Sequence, residues 1–91
     1  RSYPAEYFHE RLLNSLGHQQ LRSNDVKGAI DLFKLNVEMY PKAANPYDSL
    51  AYAYTQSGQT SLAIRNYRRS LLLDPQNTNA KEMLKRLNSR K

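Results

Sequence analysis

The residues able to do covalent chemistry in this chain are its serines, histidines and aspartates, the parts of a nucleophilic triad. In such a triad a histidine takes the serine proton and a carboxylate orients the ring. The grouping to weigh is His18 with Asp48-Ser49. Consecutive residues on a helix diverge by about 100°, so Asp48 and Ser49 cannot both meet His18 in triad order. No Gly-rich elbow is present to supply an oxyanion hole. His9 and His18 lie nine residues apart, which on one helix sets them on opposite sides, out of reach of a shared metal ion. Cysteine is absent, which excludes disulfides, thiolate zinc sites and thiol catalysis. The expectation is therefore no enzyme, no metal and no cofactor, with these polar residues forming the wall of a binding surface.

The 91 residues carry 14 Lys/Arg against 8 Asp/Glu, a formal net charge of +6. That length predicts one domain with a thin core, and the charge raises the question of a nucleic-acid partner. The longest run of large apolar residues is Leu71-Leu72-Leu73, far short of the roughly 20 residues of a membrane span, so a soluble protein is expected. The opening Arg1-Ser2-Tyr3-Pro4 has neither an initiator Met nor an apolar signal region, and the chain reads as a piece of something longer.

What positions these side chains is a repeat of about 34 residues. Shifting the sequence by one such unit pairs Ser15 with Ser49, Leu16 with Leu50, Ser23 with Ser57, Ala29 with Ala63, Ile30 with Ile64 and Pro41 with Pro75. The same shift pairs Phe33 with Tyr67, Gly17 with Ala51 and Asn24 with Gly58, so size class is kept as well as identity. Each unit divides into two helices. Tyr47, Leu50, Ala51 and Tyr54 recur at helical spacing; Gly58 ends that helix in a left-handed conformation, Thr60 caps the next, and Ala63, Ile64, Tyr67 and Leu71 form its inner stripe before Asp74-Pro75 stops it. The first unit follows with Leu13, Leu16, Gly17 and Gln20, then Asn24 as terminator, Asp25 as cap, and Val26, Ala29, Ile30, Phe33 and Val37 as stripe. The spacing predicts a long first helix from about Pro4 to about Arg22, and a fifth from Thr78 to about Asn88 with Ala80, Leu84 and Leu87 inward. The fold class is all-α: two stacked helix hairpins and a C-terminal capping helix in a short right-handed solenoid. The boundaries are 1–9 for an extension of the first helix, 10–43 and 44–77 for the two repeats, and 78–91 for the cap.

These residues resemble the tetratricopeptide repeat. The second unit matches its pattern through Tyr47, Leu50, Ala51, Tyr54, Gly58, Ala63, Tyr67, Ser70 and Pro75, with Tyr47 for the usual Trp and Ser70 for the usual Ala. The first unit is looser, with Leu13, Gln20, Asn24 and Asn36 at signature places. More narrowly, the string from Phe33 to Pro41 followed by Asn45-Pro46-Tyr47-Asp48-Ser49-Leu50, together with the tail from Leu73 to Ala80, is similar to the repeat segment at the C-terminus of many bacterial serine hydrolases of the esterase and β-lactamase-like kinds. That resemblance implies an accessory, non-catalytic domain in the bacterial cytoplasm or periplasm, with no catalytic residue carried over.

In a repeat stack the first helix of each pair lines the concave side. By wheel position the groove is expected to be lined by Arg11, Asn14, His18, Leu21 and Arg22, then by Asn45, Asp48, Ser49, Tyr52, Thr55 and Gln56, with Asn79, Glu82 and Arg86 extending it. Some family members hold a peptide's C-terminal carboxylate here with Lys, Asn and Arg; the matching places hold Asn14, His18, Ser49, Asn79 and Met83, so that clamp is absent. A second candidate surface is a docking face made of Leu32, Leu35 and Leu72 on the second helices, with Met39 expected to be covered by the next repeat. Asn36, at a place the repeat keeps small, is expected to be buried and to bond across the repeat junction to Asp48, Ser49 or nearby backbone.

The charge is uneven. Residues 1–43 hold six Lys/Arg and five Asp/Glu, net +1; residues 44–91 hold eight and three, net +5. Arg65, Arg68 and Arg69 fall on the outer face of the fourth helix, and Lys81, Lys85, Arg86, Arg90 and Lys91 on the last. Nucleic-acid binding wants such charges interleaved with exposed aromatics, yet Tyr47, Tyr54 and Tyr67 sit at core positions, so nucleic acid is disfavoured. The function expected is protein–protein or interdomain contact, as the C-terminal accessory domain of a bacterial hydrolase. The alternatives are a free-standing adaptor holding a peptide in its groove and, third, a binder of RNA or an acidic surface. The partner is a protein or peptide, with the upstream domain of the same chain and a second copy of it both candidates.

Overall fold

The computed structural model describes residues 5–89. The expected start at Tyr3-Pro4 and the charges of Arg90 and Lys91 lie outside these. Five helices follow one another: α1 (Ala5–Arg22), α2 (Val26–Met39), α3 (Ala44–Gln56), α4 (Thr60–Leu73) and α5 (Thr78–Ser89). Each packs on the next, and α1 also touches α3, giving a slab of 44 × 30 × 19 Å. Among the described residues there is no strand, and the architecture is the small helical solenoid that the spacing implies.

The repeat is written in backbone hydrogen bonds. Asp25 N donates to Gln20 O at 2.8 Å, and one repeat later Gln59 N donates to Tyr54 O at 2.9 Å. Tyr40 N to Asn36 O recurs as Asp74 N to Ser70 O, both at 2.9 Å. The hairpin corners match too: Asn24 and Gly58 have φ of 64° and 78°, the left-handed conformation that closes a helix without a clash for Gly and at small cost for Asn. Asp25 caps α2 by accepting from Gly28 N at 2.9 Å. At α4 the expected cap moves by one residue: Gln59 holds the capping position without a side-chain bond, and Thr60 is already helical.

Small residues let the paired helices close. A Cβ on Gly17 would run into the ring of Phe33, which is fully buried along with Ala29, Ala51, Ala63, Tyr67 and Ala80. Asn36 is buried as expected, but its partner is different. Its Nδ2 donates to Glu10 O on α1 at 3.0 Å, inside the first hairpin rather than across the junction to Asp48 or Ser49. The same bond recurs in the second unit, where Ser70 Oγ donates to Ala44 O at 3.0 Å. A polar side chain on the second helix thus bonds a backbone carbonyl of the first in both units, and at this position it reaches its own hairpin partner.

Two expectations about burial fail at one end of the stack. Leu16 is 38% exposed and Leu12 57% exposed, whereas Leu50, the counterpart of Leu16, is 4% exposed. Met39, expected to be covered by the next repeat, is half exposed. The cause for α1 is positional: α3 packs on α2 and α5 on α4, while no described helix lies on the corresponding face of α1.

Candidate functional site

The concave side is held by a ladder of polar side chains that runs from α1 through α3 to α5. On its first rung Ser49 Oγ donates to Asn14 Oδ1, and His18 Nε2 lies 3.2 Å from the same hydroxyl. A serine hydroxyl has one proton to give. With that proton on Asn14, His18 stands as the donor to Ser49, the reverse of what a general base does. His18 also meets the Phe33 ring edge-on, 5.1 Å between centroids. Partial burial pushes its pKa below the usual value; the positive charge of Arg22 acts the same way and Asp48 opposes both.

The second rung centres on Asp48. Its two oxygens accept from Asn79 Nδ2 at 3.0 Å and from Asn77 Nδ2 at 3.3 Å. The carboxylate is thereby committed to α5 and to the loop before it, and does not orient the imidazole. Asn77 does more. Its Nδ2 also donates to the buried Ser70 hydroxyl at 3.0 Å, and its Oδ1 accepts from Ala80 N at 3.1 Å, capping α5. One amide therefore ties together α3, α4 and α5.

His18, Asn45, Asp48, Ser49, Tyr52 and Asn79 surround a hollow of about 280 Å³. Of the groove residues expected from the sequence, the structure gathers five of these six, with Asn79 from the extension, and brings Asn14 in through Ser49. Arg11 turns away, bonding Tyr7 Oη at 3.2 Å and lying 5.5 Å from that ring's centroid. Leu21 packs against the core, and Thr55 Oγ1 bonds back to Ala51 O at 2.9 Å. Arg22, Gln56 and Arg86 are exposed and lie outside the lining of that hollow. On the other candidate surface Leu35 and Leu72 are exposed, at 43% and 74%, but Leu32 is half-buried and offers little to a partner. Among the described residues no cluster of His, Asp and Glu could hold a metal ion, and no helix is long and apolar enough to cross a membrane.

The residue that sequence reasoning passed over is Asn77. Its signal was present, an Asn directly before a helix start; only the fold shows that its other end reaches Ser70 and Asp48.

No family model matches the chain. It is 34% identical over 65 residues to Protein CTR9 homolog of Arabidopsis thaliana. Those residues are 71% of this chain and only 6% of that protein, so the likeness is to a short stretch of a far longer polypeptide.

Proposed function

We propose that this chain is a non-catalytic protein-interaction module of the tetratricopeptide type, which works by accepting a partner helix on the outer face of α1. The observation that carries the reading is the break in burial at one end of the repeat. Leu12 falls one repeat before Pro46 and two before Ala80, both of them buried. Leu16 stands in the same relation to Leu50 and Leu84, which belong to or pack against the core. In the second and third positions of the stack this face is covered by the preceding hairpin, and on α1 it is open. Burying two leucine side chains that stand about half exposed is worth roughly 2–3 kcal/mol, a contribution to docking that the rest of the interface must add to. The family assignment is supported by the repeat pattern, which the stretch alike to Protein CTR9 homolog overlaps across 71% of the chain.

The finer reading is that the docking partner is the upstream catalytic domain of a bacterial serine hydrolase. It rests on the similarity of the segment from Phe33 to Leu50 and of the tail from Leu73 to Ala80 to the C-terminal segments of those enzymes. The alternative is an adaptor holding an extended peptide, favoured by the hollow between His18, Asp48 and Tyr52.

The coding sequence directly upstream of Arg1 separates these readings. A serine-hydrolase domain there supports the accessory role, and further repeats of the same length support the adaptor. In either polypeptide, amide exchange across Leu12 and Leu16 should slow relative to this chain alone. Unchanged exchange would count against docking through α1.

A further inference from the structure

A second incomplete surface lies at the other end of the stack. Between the two hairpins a space of about 430 Å³ is walled on one side by Val26, Lys27, Ile30, Asp31 and Lys34 of α2, and on the other by residues from Tyr54 to Leu62. Moved by one repeat, the α2 wall becomes Thr60, Ser61, Ile64, Arg65 and Arg68. A hollow of about 460 Å³ is found there, lined by Ser61, Ile64, Arg65, Arg68, Arg69 and Leu72 of α4, with no opposite wall.

α5 borders the same vacant position. It stands one repeat after α3, and two contacts show which side of a first helix meets its hairpin partner: Gly17 faces the Phe33 ring, and Tyr47 lies under the Arg69 guanidinium at 5.8 Å. The residues at those places in α5 are Lys85 and Lys81. A helix seated in the sixth position of the stack would meet Arg65 and Arg68 from α4 and Lys81 and Lys85 from α5, around the 74%-exposed Leu72 and above the buried Ile64.

The first copy of this space is walled by Lys27, Asp31 and Lys34, net +1, and the second by Arg65, Arg68 and Arg69 with no acidic residue among its lining. In the closed copy Lys27 is paired with Asp31 at 3.2 Å; in the open copy Arg65 replaces the aspartate. Among the described residues Lys27–Asp31 is the one ion pair, so none of the four cations of the open copy is in a salt bridge, and the carboxylate that shares a hollow with Lys81 and Lys85 is Glu82. Lysine at the place of Gly17 and Ala51 also bars the close apolar approach by which the two helices of a hairpin pair. A helix lodged there must bring its own negative charge.

We propose that the sixth-helix position, between α4 and α5, binds an acidic amphipathic helix from a partner protein, carboxylates toward Arg65, Arg68, Lys81 and Lys85 and an apolar stripe toward Leu72. Opposed charges steer and register such a helix, while the apolar stripe supplies the burial. This surface is separate from the α1 face and from the concave hollow, so it stands or falls independently of them.

The probe is a fluorescein-labelled helical peptide with Glu along one side and Leu along the other, titrated with the full chain and read by fluorescence anisotropy. Beside it run a scrambled peptide of equal charge and a labelled uridine RNA oligomer. Saturable binding of the amphipathic peptide is expected, weakened by salt and by roughly tenfold or more in the Arg65→Ser/Arg68→Ser chain, with a further loss in Leu72→Ser. All three residues are exposed, and circular dichroism checks that the variants keep their helix content. Three results would overturn the proposal: no binding of the peptide, equal binding of the scrambled peptide, or preferential binding of the RNA. Binding that ignores the three substitutions would place the site elsewhere and overturn it too.

Discussion

Replacing Asn77 by Ala should loosen α5 from the stack while leaving the first hairpin intact. The side chain makes three bonds that alanine cannot. Loss of the helix cap at Ala80 N costs about 1 kcal/mol. Loss of the donor to the fully buried Ser70 hydroxyl costs about another 1 kcal/mol. The bond to Asp48 is longer, 3.3 Å, and only half-buried, so it adds a few tenths of a kcal/mol at most. Together the expected loss is about 2 kcal/mol, a large share of what a domain of this size holds. Two further variants separate the parts. Asn77→Ser keeps a capping oxygen and should recover roughly half. Asn77→Asp caps well but sets a second carboxylate beside Asp48, and should recover less than serine does. The assay is urea unfolding combined with amide exchange resolved by helix. Faster exchange should concentrate in α5 and in the end of α4, with α1 and α2 unchanged. A loss below about 0.5 kcal/mol, or faster exchange spread evenly over all five helices, would refute the view that one amide ties α3, α4 and α5 together.

Two other outcomes follow from the same contacts. Because His18 is held below its usual 6.5, the folded state favours the neutral ring. Its contribution is complete above that value and is lost as the pH falls through it toward the folded pKa. Stability measured from pH 8 to 5 should therefore decline more steeply in the native chain than in His18→Gln, and parallel curves would show the ring to be untouched by its surroundings. The buried Tyr67 hydroxyl makes no hydrogen bond of good geometry, and burial, aided by the charge of Asp48 and opposed by the Thr55 hydroxyl, pushes its pKa up to about 12. Tyr67→Phe, which copies Phe33 of the first unit, should leave stability unchanged or raise it by up to about 1 kcal/mol. It should also remove part of the loss seen above pH 10, where the unfolded phenol ionises first; a loss exceeding about 1 kcal/mol would mean the hydroxyl is bonded after all.

Local rules carried the helices. Spacing of apolar residues, Asn24 and Gly58 at the corners, and Asp25 at a cap are all decided within a turn of helix, and the structure places each as the sequence implies. The partner of Asn36 was not decided locally. Its reach to Glu10 depends on how α1 crosses α2, and the precedent for it, Ser70 bonding Ala44, is invisible in a chain of letters. The groove divided along the same line. His18, Asp48, Ser49 and Tyr52 share a face and meet, but Arg11 is drawn off by Tyr7, a competition between flexible side chains that no wheel diagram settles. The exposed side of α1 was concealed by its own regularity. Leu16 matches the buried Leu50 so well that it reads as core, and only the position of α1 at the end of the stack leaves it bare.

That bare side is where docking is most directly measured. One hairpin of matching repeat sequence can be joined ahead of α1, and equilibrium unfolding compared for the native chain and for Leu12→Glu/Leu16→Glu. If α1 is a docking face, the added hairpin raises stability by at least about 2 kcal/mol in a single cooperative transition, and the double substitution abolishes the gain. An added hairpin that unfolds on its own, with the midpoint of the remaining chain unmoved, would contradict the central claim.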